Sequence, residues 1–333
     1  VLPWRNSGGL ILHPGGNFPI LDVLNLSYWQ IGNEEAARNW LAWLTKHLHH
    51  PEDLDAWRFL LTRLQWTGHA APNDLQIFVR NMFRVRPEIL DGPNAALFLH
   101  NTADIIEHET LYNIVKRWMV CDWSQGKQAA GELLISFLFR ADGKDTWQAR
   151  IDAALDADDD DSDAEAVRIG LAHALSSAWG EERIRHTAHP LLMRLLDGAQ
   201  GARADALMGV FVNYGKFPKI TEGIAIINAI LNLPDGIPKR HRHFFFDALK
   251  ELNAGEREAR STVLRACKTI LSEALSEKED GHLGAYHEFE IVRELLVSLM
   301  RQRDTAEDAL EQFELLVLNQ PFETEKVLQS LES

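Results

Sequence analysis

An all-α fold is what this sequence predicts, and three observations predict it. Apolar residues recur at intervals of three and four, helix-starting and helix-ending residues punctuate the chain regularly, and the strict alternation of a half-buried strand is nearly absent. About sixteen helical segments are expected, each roughly 20 residues long with its connection.

The stripes begin at Trp40, Leu41, Trp43, Leu44 and Leu48. They continue through Leu54, Trp57, Leu60, Leu61 and Leu64, then Leu75, Phe78, Val79, Met82 and Phe83. Residues three and four apart share one helix face, so each set marks a face turned toward a core. Starts are written in capping chemistry: Asn33 before Glu34 and Glu35, Pro51 before Glu52 and Asp53, Asn73 before Asp74, and Ser162-Asp163-Ala164-Glu165 as a capping box. Stops are expected at Gly68, Pro87, Gly180, Gly215 and Pro234, where a left-handed residue or a missing N–H halts propagation. Ahead of the first stripe, Gly8-Gly9, His13-Pro14-Gly15-Gly16 and Pro19 carry too much glycine and proline for a long helix. Residues 1–32 are therefore read as an irregular arm, followed by Trp-rich helices over 33–107.

An internal repeat organises the middle of the chain. Asp122, Gln125, Gly126 and Ala129 match Asp197, Gln200, Gly201 and Ala204 at an offset of 75 residues. Asp159 falls halfway, with Leu155 answering Trp118 and Leu171 answering Leu134. A further step brings Asp197 onto Asp235, Leu192 onto Ile230 and Met208 onto Phe246. The period is about 37 to 38 residues over 108–252, each unit being a helix, an Asp-bearing turn and a second helix. Such a pair cannot bury its own apolar face, so successive pairs must stack into a shared core.

In period and content these units resemble HEAT and armadillo repeats. The resemblance is one of architecture, so it implies a right-handed α-solenoid of stacked antiparallel helix pairs and carries over no functional residues. Tetratricopeptide repeats, with a shorter period and their own signature, fit less well. The longer, heavily charged helices of 253–333 break the phase, as capping repeats do.

Charge is unevenly spread. The whole chain carries −15, which argues against non-specific affinity for nucleic acid or anionic lipid. Residues 213–268 hold 10 basic against 6 acidic side chains, whereas 269–333 hold 5 against 15. The basic island contains Lys216, Lys219, Lys239, Arg240, Arg242, Arg257, Arg260, Arg265 and Lys268, with His241 and His243 alongside. It is read either as a helix edge balanced by the acidic C-terminal helices or as a site for an acidic peptide, a phosphate or a nucleic-acid backbone.

Motifs for chemistry are wanting. The acidic run Asp156 to Asp163 has Asp161 and Val167 where a calcium loop needs Gly and Glu. It is an inter-helix loop ending at a positive helix N-terminus. His47, His49 and His50, the pair His186 and His189, and the pair His282 and His287 lack zinc or triad spacing. No nucleophile elbow, P-loop or dinucleotide fingerprint occurs. No metal and no cofactor is expected, and the chain leans away from catalysis. Cys121 and Cys267 read as buried free thiols of a reducing compartment. Of the 10 tryptophans most are assigned to the core, and the others to an aromatic groove at the N-terminal end. Phe244-Phe245-Phe246 cannot all face one stripe.

No apolar run is long enough to span a membrane, and no signal peptide is visible, so a cytoplasmic location is expected. The first residue, Val1, is not methionine, which is read as a piece of a larger multidomain protein. The expected function is a scaffold or recognition module binding a protein partner on the concave face of the solenoid. The alternative is a nucleic-acid-associated protein using 213–268, disfavoured by net charge. A hydrolase embedded in the helices ranks third.

Overall fold

The computed structural model of the chain describes residues 34–49, 54–137, 144–158, 160–213, 220–253, 255–279 and 285–319. The arm expected over 1–32, Asp159, Lys216, Lys219 and Gly215 lie outside them. Among the described residues there are sixteen α-helices, one 3₁₀ turn at Pro87–Leu90 and no strand. The chain divides into two compact units, Val1–Ser177 and Ala178–Ser333, the border falling at the end of one helix.

The first unit contains α1 (Glu34–His47), α2 (Leu54–Ala70), α3 (Pro72–Val85), α4 (Pro93–Thr102), α5 (His108–Trp118), α6 (Gly126–Phe137), α7 (Lys144–Leu155) and α8 (Ser162–Ala178). Helices two apart in sequence lie side by side: α1 with α3, α2 with α4, α3 with α5 and α4 with α6. The stripe of α3 explains its place, since Leu75, Phe78, Val79 and Met82 are all fully buried. Each such side chain stabilises the fold by roughly 2 kcal/mol through water removed from its surface. Trp40, Trp57, Trp118 and Trp147 are core residues, as the periodicity demands, while Trp43 is 44% exposed and stacks on Trp40 and His47.

Two contacts continue the same stacking. Trp147 of α7 packs edge-on against Tyr112 and His108 of α5, and Arg150 donates to the Tyr112 hydroxyl at 3.0 Å. Between α6 and α8 the backbones touch: a Cβ on Gly131 would overlap the carbonyl oxygen of Val167, and one on Gly170 that of Gln128. Only glycine permits so close an approach.

The expected ends shift in places. α2 runs past Gly68 to Ala70, because the absent side chain of Gly68 leaves room for Leu75 of α3 rather than ending the helix. The cap of α8 is Asp161 and not Ser162; Asp161 Oδ1 accepts the backbone N–H groups of Asp163 and Ala164, at 2.9 and 3.1 Å. Those two bonds hold the Asp161 carboxyl below its ordinary pKa. Cys121 is half-buried in the turn after α5, whereas Cys267 is fully buried, its thiol pushed up to about 12 by desolvation.

The second unit contains α9 (Glu182–Leu196), α10 (Gly201–Leu207), α11 (Gly209–Asn213), α12 (Ile220–Leu231), α13 (Arg242–Asn253), α14 (Arg257–Glu279), α15 (Ala285–Met300) and α16 (Ala306–Asn319). Again helices lie beside those near them in sequence: α9 with α12, α11 with α13, α12 with α14, α13 with α15 and α14 with α16. One device recurs. Arg185, Arg203, Arg242 and Arg260 each donate to the carbonyl five residues earlier, those of Gly180, Gly198, Ile237 and Gly255. Each sits in the first turn of its helix, so its guanidinium folds back over the preceding bend and satisfies a turn carbonyl that would otherwise lack a partner.

Some contacts between neighbouring helices share a separation: Arg38–Asp74 and Lys127–Asp163 are 36 residues apart, Tyr112–Arg150 38 and Asn228–Arg265 37, while Arg117–Asp91 is 26, Arg80–Glu107 27 and Arg58–Glu88 30. The step lengthens to 46 for Arg242–Glu288 and 44 for Arg260–Asp304, where the 23-residue α14 enters. Asp122, Asp197 and Asp235 all lie in bends between helices. Of the paired core positions, Trp118, Leu134, Leu171, Leu192, Ile230, Met208 and Phe246 are buried and Leu155 is half-buried.

Candidate functional site

The basic stretch of 213–268 is taken apart by the fold. Arg242 is buried, and beyond the turn carbonyl it bonds Glu273 Oε2 at 2.7 Å and Glu288 Oε1 at 2.5 Å. Arg260 holds both oxygens of Asp304, the shorter contact being 2.7 Å, and hydrogen bonding to that guanidinium pulls the Asp304 carboxyl below its usual range. Lys250 pairs with Glu294 at 3.0 Å. Arg242, Lys250 and Arg260 are thus met by acidic groups of 269–333.

Lys239, Arg240, Arg257, Arg265 and Lys268 are exposed. His243 is exposed and tilted against Phe244, with ring centroids 4.0 Å apart. His241 has a left-handed backbone (φ 59°), and burial, with Arg240 beside it, lowers its imidazole pKa. Phe245 and Phe246 enter the core while Phe244 stays half-buried between the two histidines.

A different arrangement lies on the face where α9, α12 and α14 run side by side. Between α9 and α12 is an open groove of about 600 Å³, lined by Arg194, Asp197, Asn228 and Asn232 with Met193 and Ala225. Between α12 and α14 is a second, of about 620 Å³, lined by Asn228, Arg257, Glu258, Ser261 and Arg265. The two meet at Asn228. The Arg265 guanidinium donates to Asn228 Oδ1 at 2.7 Å, which fixes the carboxamide and leaves its NH₂ group as donor.

Arg257 and Arg265 belong to the expected site; Asn228 and Asn232 do not. Their trace in the sequence is two amides four residues apart in the otherwise apolar run GIAIINAILN, the spacing that puts both on one helix face. Carboxamides, hydroxyls and charges of both signs along an open groove suit recognition of a polypeptide, whose backbone offers donors and acceptors alike.

Among the described residues the side chains suited to metal chemistry are dispersed. Among the described residues no three of His, Cys, Asp or Glu converge on a point that could hold a metal ion. His186 lies 3.8 Å from Glu182 and 3.9 Å from Glu222, contacts too long for a strong bond. His47 bonds the Trp43 carbonyl at 2.7 Å, and burial lowers the pKa of His100. No described helix is long and apolar enough to cross a membrane.

Among the described residues the protein is all-helical, and within each unit helices near in sequence lie side by side. Comparison of the chain with protein-family models, with curated proteins and with solved structures finds no match.

Proposed function

We propose that the chain is a non-catalytic recognition module of the helical-repeat kind, a right-handed α-solenoid that binds a segment of a protein partner along the grooves flanking α12. The observation that carries this reading is the pair of grooves meeting at Asn228, one on each side of the same helix. Contacts between helices two apart at separations of 36 to 38 residues, those of Arg38, Tyr112 and Asn228, support the repeat. A nucleic-acid partner is the weaker reading, because Arg242, Arg260 and Lys250 are engaged by Glu273, Glu288, Asp304 and Glu294 and a net charge of −15 repels a polyanion.

The test is selection of peptides from a random library on the intact chain, followed by affinity measurement against Asn228→Ala and Asn232→Arg. Selected peptides should lose at least about tenfold in affinity with either variant. Peptides indifferent to both substitutions would remove the groove assignment. Binding of generic single- or double-stranded DNA at low salt, lost steeply as salt rises, would favour the nucleic-acid reading instead.

A further inference from the structure

A second cavity, of about 570 Å³, lies within the first unit and is walled by α2, the Asp91-Gly92 bend, the end of α5 and the turn that follows. Two arginines line it, and they are used very differently. Arg117 grips Asp91 with both ends of its fork, Nε to Oδ1 at 2.8 Å and Nη2 to Oδ2, so the two charges cancel. Arg58 has no such partner. Its Nη2 reaches the Glu88 carbonyl at 3.4 Å, its Nη1 lies 3.9 Å from the exposed Asp55 carboxylate, and its buried Nε bonds nothing.

Gly92 adds to the contrast. Its φ of 148° is one that side-chain-bearing residues rarely adopt, and the place a Cβ would occupy is 3.7 Å from Arg58 Nε. Bare backbone covers the Nε side of the guanidinium, which leaves the terminal amino groups, on a side chain 31% exposed, as the part a ligand can reach. The remaining wall is apolar. Val120 is 82% exposed, and Trp123 is half-buried and braced edge-on by Trp118 with ring centroids 5.5 Å apart. Trp118 is in turn fixed by its indole N–H on the Leu90 carbonyl at 2.8 Å.

We propose that this cavity binds a carboxylate-bearing ligand with an aromatic or aliphatic body, Arg58 taking the carboxylate and Val120 and Trp123 the body. A guanidinium is donor-only, so its complement is an oxyanion, and a planar carboxylate matches its fork. With Arg117 neutralised by Asp91, Arg58 is the lining cation held by the weaker contacts, 3.4 Å to a carbonyl and 3.9 Å to Asp55, and Asp122 on the wall opposes a second negative charge. That favours a monoanion over a phosphate dianion. The site is separate from the α12 grooves and does not depend on them.

The experiment titrates the intact chain with 3-phenylpropionate and with the peptide acetyl-Ala-Ala-Phe bearing a free C-terminus, each beside its amide. The readout is the indole N–H resonance of Trp123, assigned with Trp123→Phe. Both acids should shift that resonance saturably, their amides binding at least about tenfold more weakly. Arg58→Leu should lose at least about tenfold and Arg58→Lys less. Val120→Asp alters a surface side chain that the fold does not need, and it should weaken the acids about tenfold by repulsion, which keeps the test alive if Arg58→Leu does not fold. Either ranking of the two acids supports the site, a tighter peptide pointing to a chain terminus and a tighter free acid to a small molecule. Amides binding as well as acids, acids unaffected by both variants, inorganic phosphate displacing them at lower concentration, or no saturable shift at all would overturn the proposal.

Discussion

Both units bury an apolar core and both carry polar ties, such as Arg117 on Asp91 and the buried Arg168 on the carbonyls of Ala154 and Ala157 in the first, but the closest contacts between their helices differ. In residues 1–177 the closest approach is a matter of shape, with Gly131 and Gly170 letting two backbones touch. In residues 178–333 the ties are polar: Arg185, Arg203, Arg242 and Arg260 clasp their turns, and Arg242 and Arg260 also hold acidic groups from later helices. Contact made by shape admits no added atom and is indifferent to charge. Contact made by clasps tolerates changes of volume better than the loss of one partner, because the group left behind is buried and unpaired.

The largest effect is expected from breaking a clasp. Arg242→Ala leaves Glu288, whose side chain is only 13% exposed, without its cation, and should cost about 3–5 kcal/mol. Amide hydrogen exchange should speed up chiefly within residues 178–333, and Arg242→Met should be milder than Arg242→Ala. Exchange rising equally in both units would dissolve the comparison.

The shape side is tested by one methyl group. Gly170→Ala puts a Cβ where the Gln128 carbonyl stands, and should cost about 1–3 kcal/mol in chemical denaturation. Salt should change neither loss much, since the Arg242 pairs are shielded from solvent. A neutral Gly170→Ala would mean that α6 and α8 do not meet as described.

Glu132 sharpens the contrast from within the first unit. It is 1% exposed beside the Gly131 crossing, its Oε2 has no partner, and burial pushes its carboxyl up to about 9. The folded chain therefore holds this proton to a pH near 9, whereas the unfolded chain releases it near the ordinary value. Between the two, folding takes up a proton, so this group's contribution falls as pH rises, by at most about 1.4 kcal/mol per pH unit. Glu132→Gln should remove that slope, and its stability advantage over the parent chain should grow across this range. An advantage independent of pH would show that Glu132 is ionised in the fold. The smallest effect belongs to a cap: Asp161→Ala should fray the start of α8 and lower Tm by about 2 °C, read by thermal circular dichroism.

Much of the fold is legible in the chain itself. The stripe Leu75, Phe78, Val79 and Met82 names the buried face of α3 from spacing alone, and the steps linking Asp122, Asp197 and Asp235 locate bends between helices. The charge excess of 213–268 is equally plain, yet it misleads about Arg242 and Arg260. Their partners lie 31 to 46 residues away, beyond any local pattern. Asn228 and Asn232 leave only the faint trace of two amides in an apolar helix, while Arg58 and Gly131 leave none.

The sequence by itself determined the helices, because periodicity and capping act over a few residues and need no distant partner. Only the tertiary structure decided which arginines turn inward, which glycines are contacts rather than stops, and which guanidinium is left with an open fork. Those outcomes depend on groups brought together from different helices, and a one-dimensional pattern does not record that proximity.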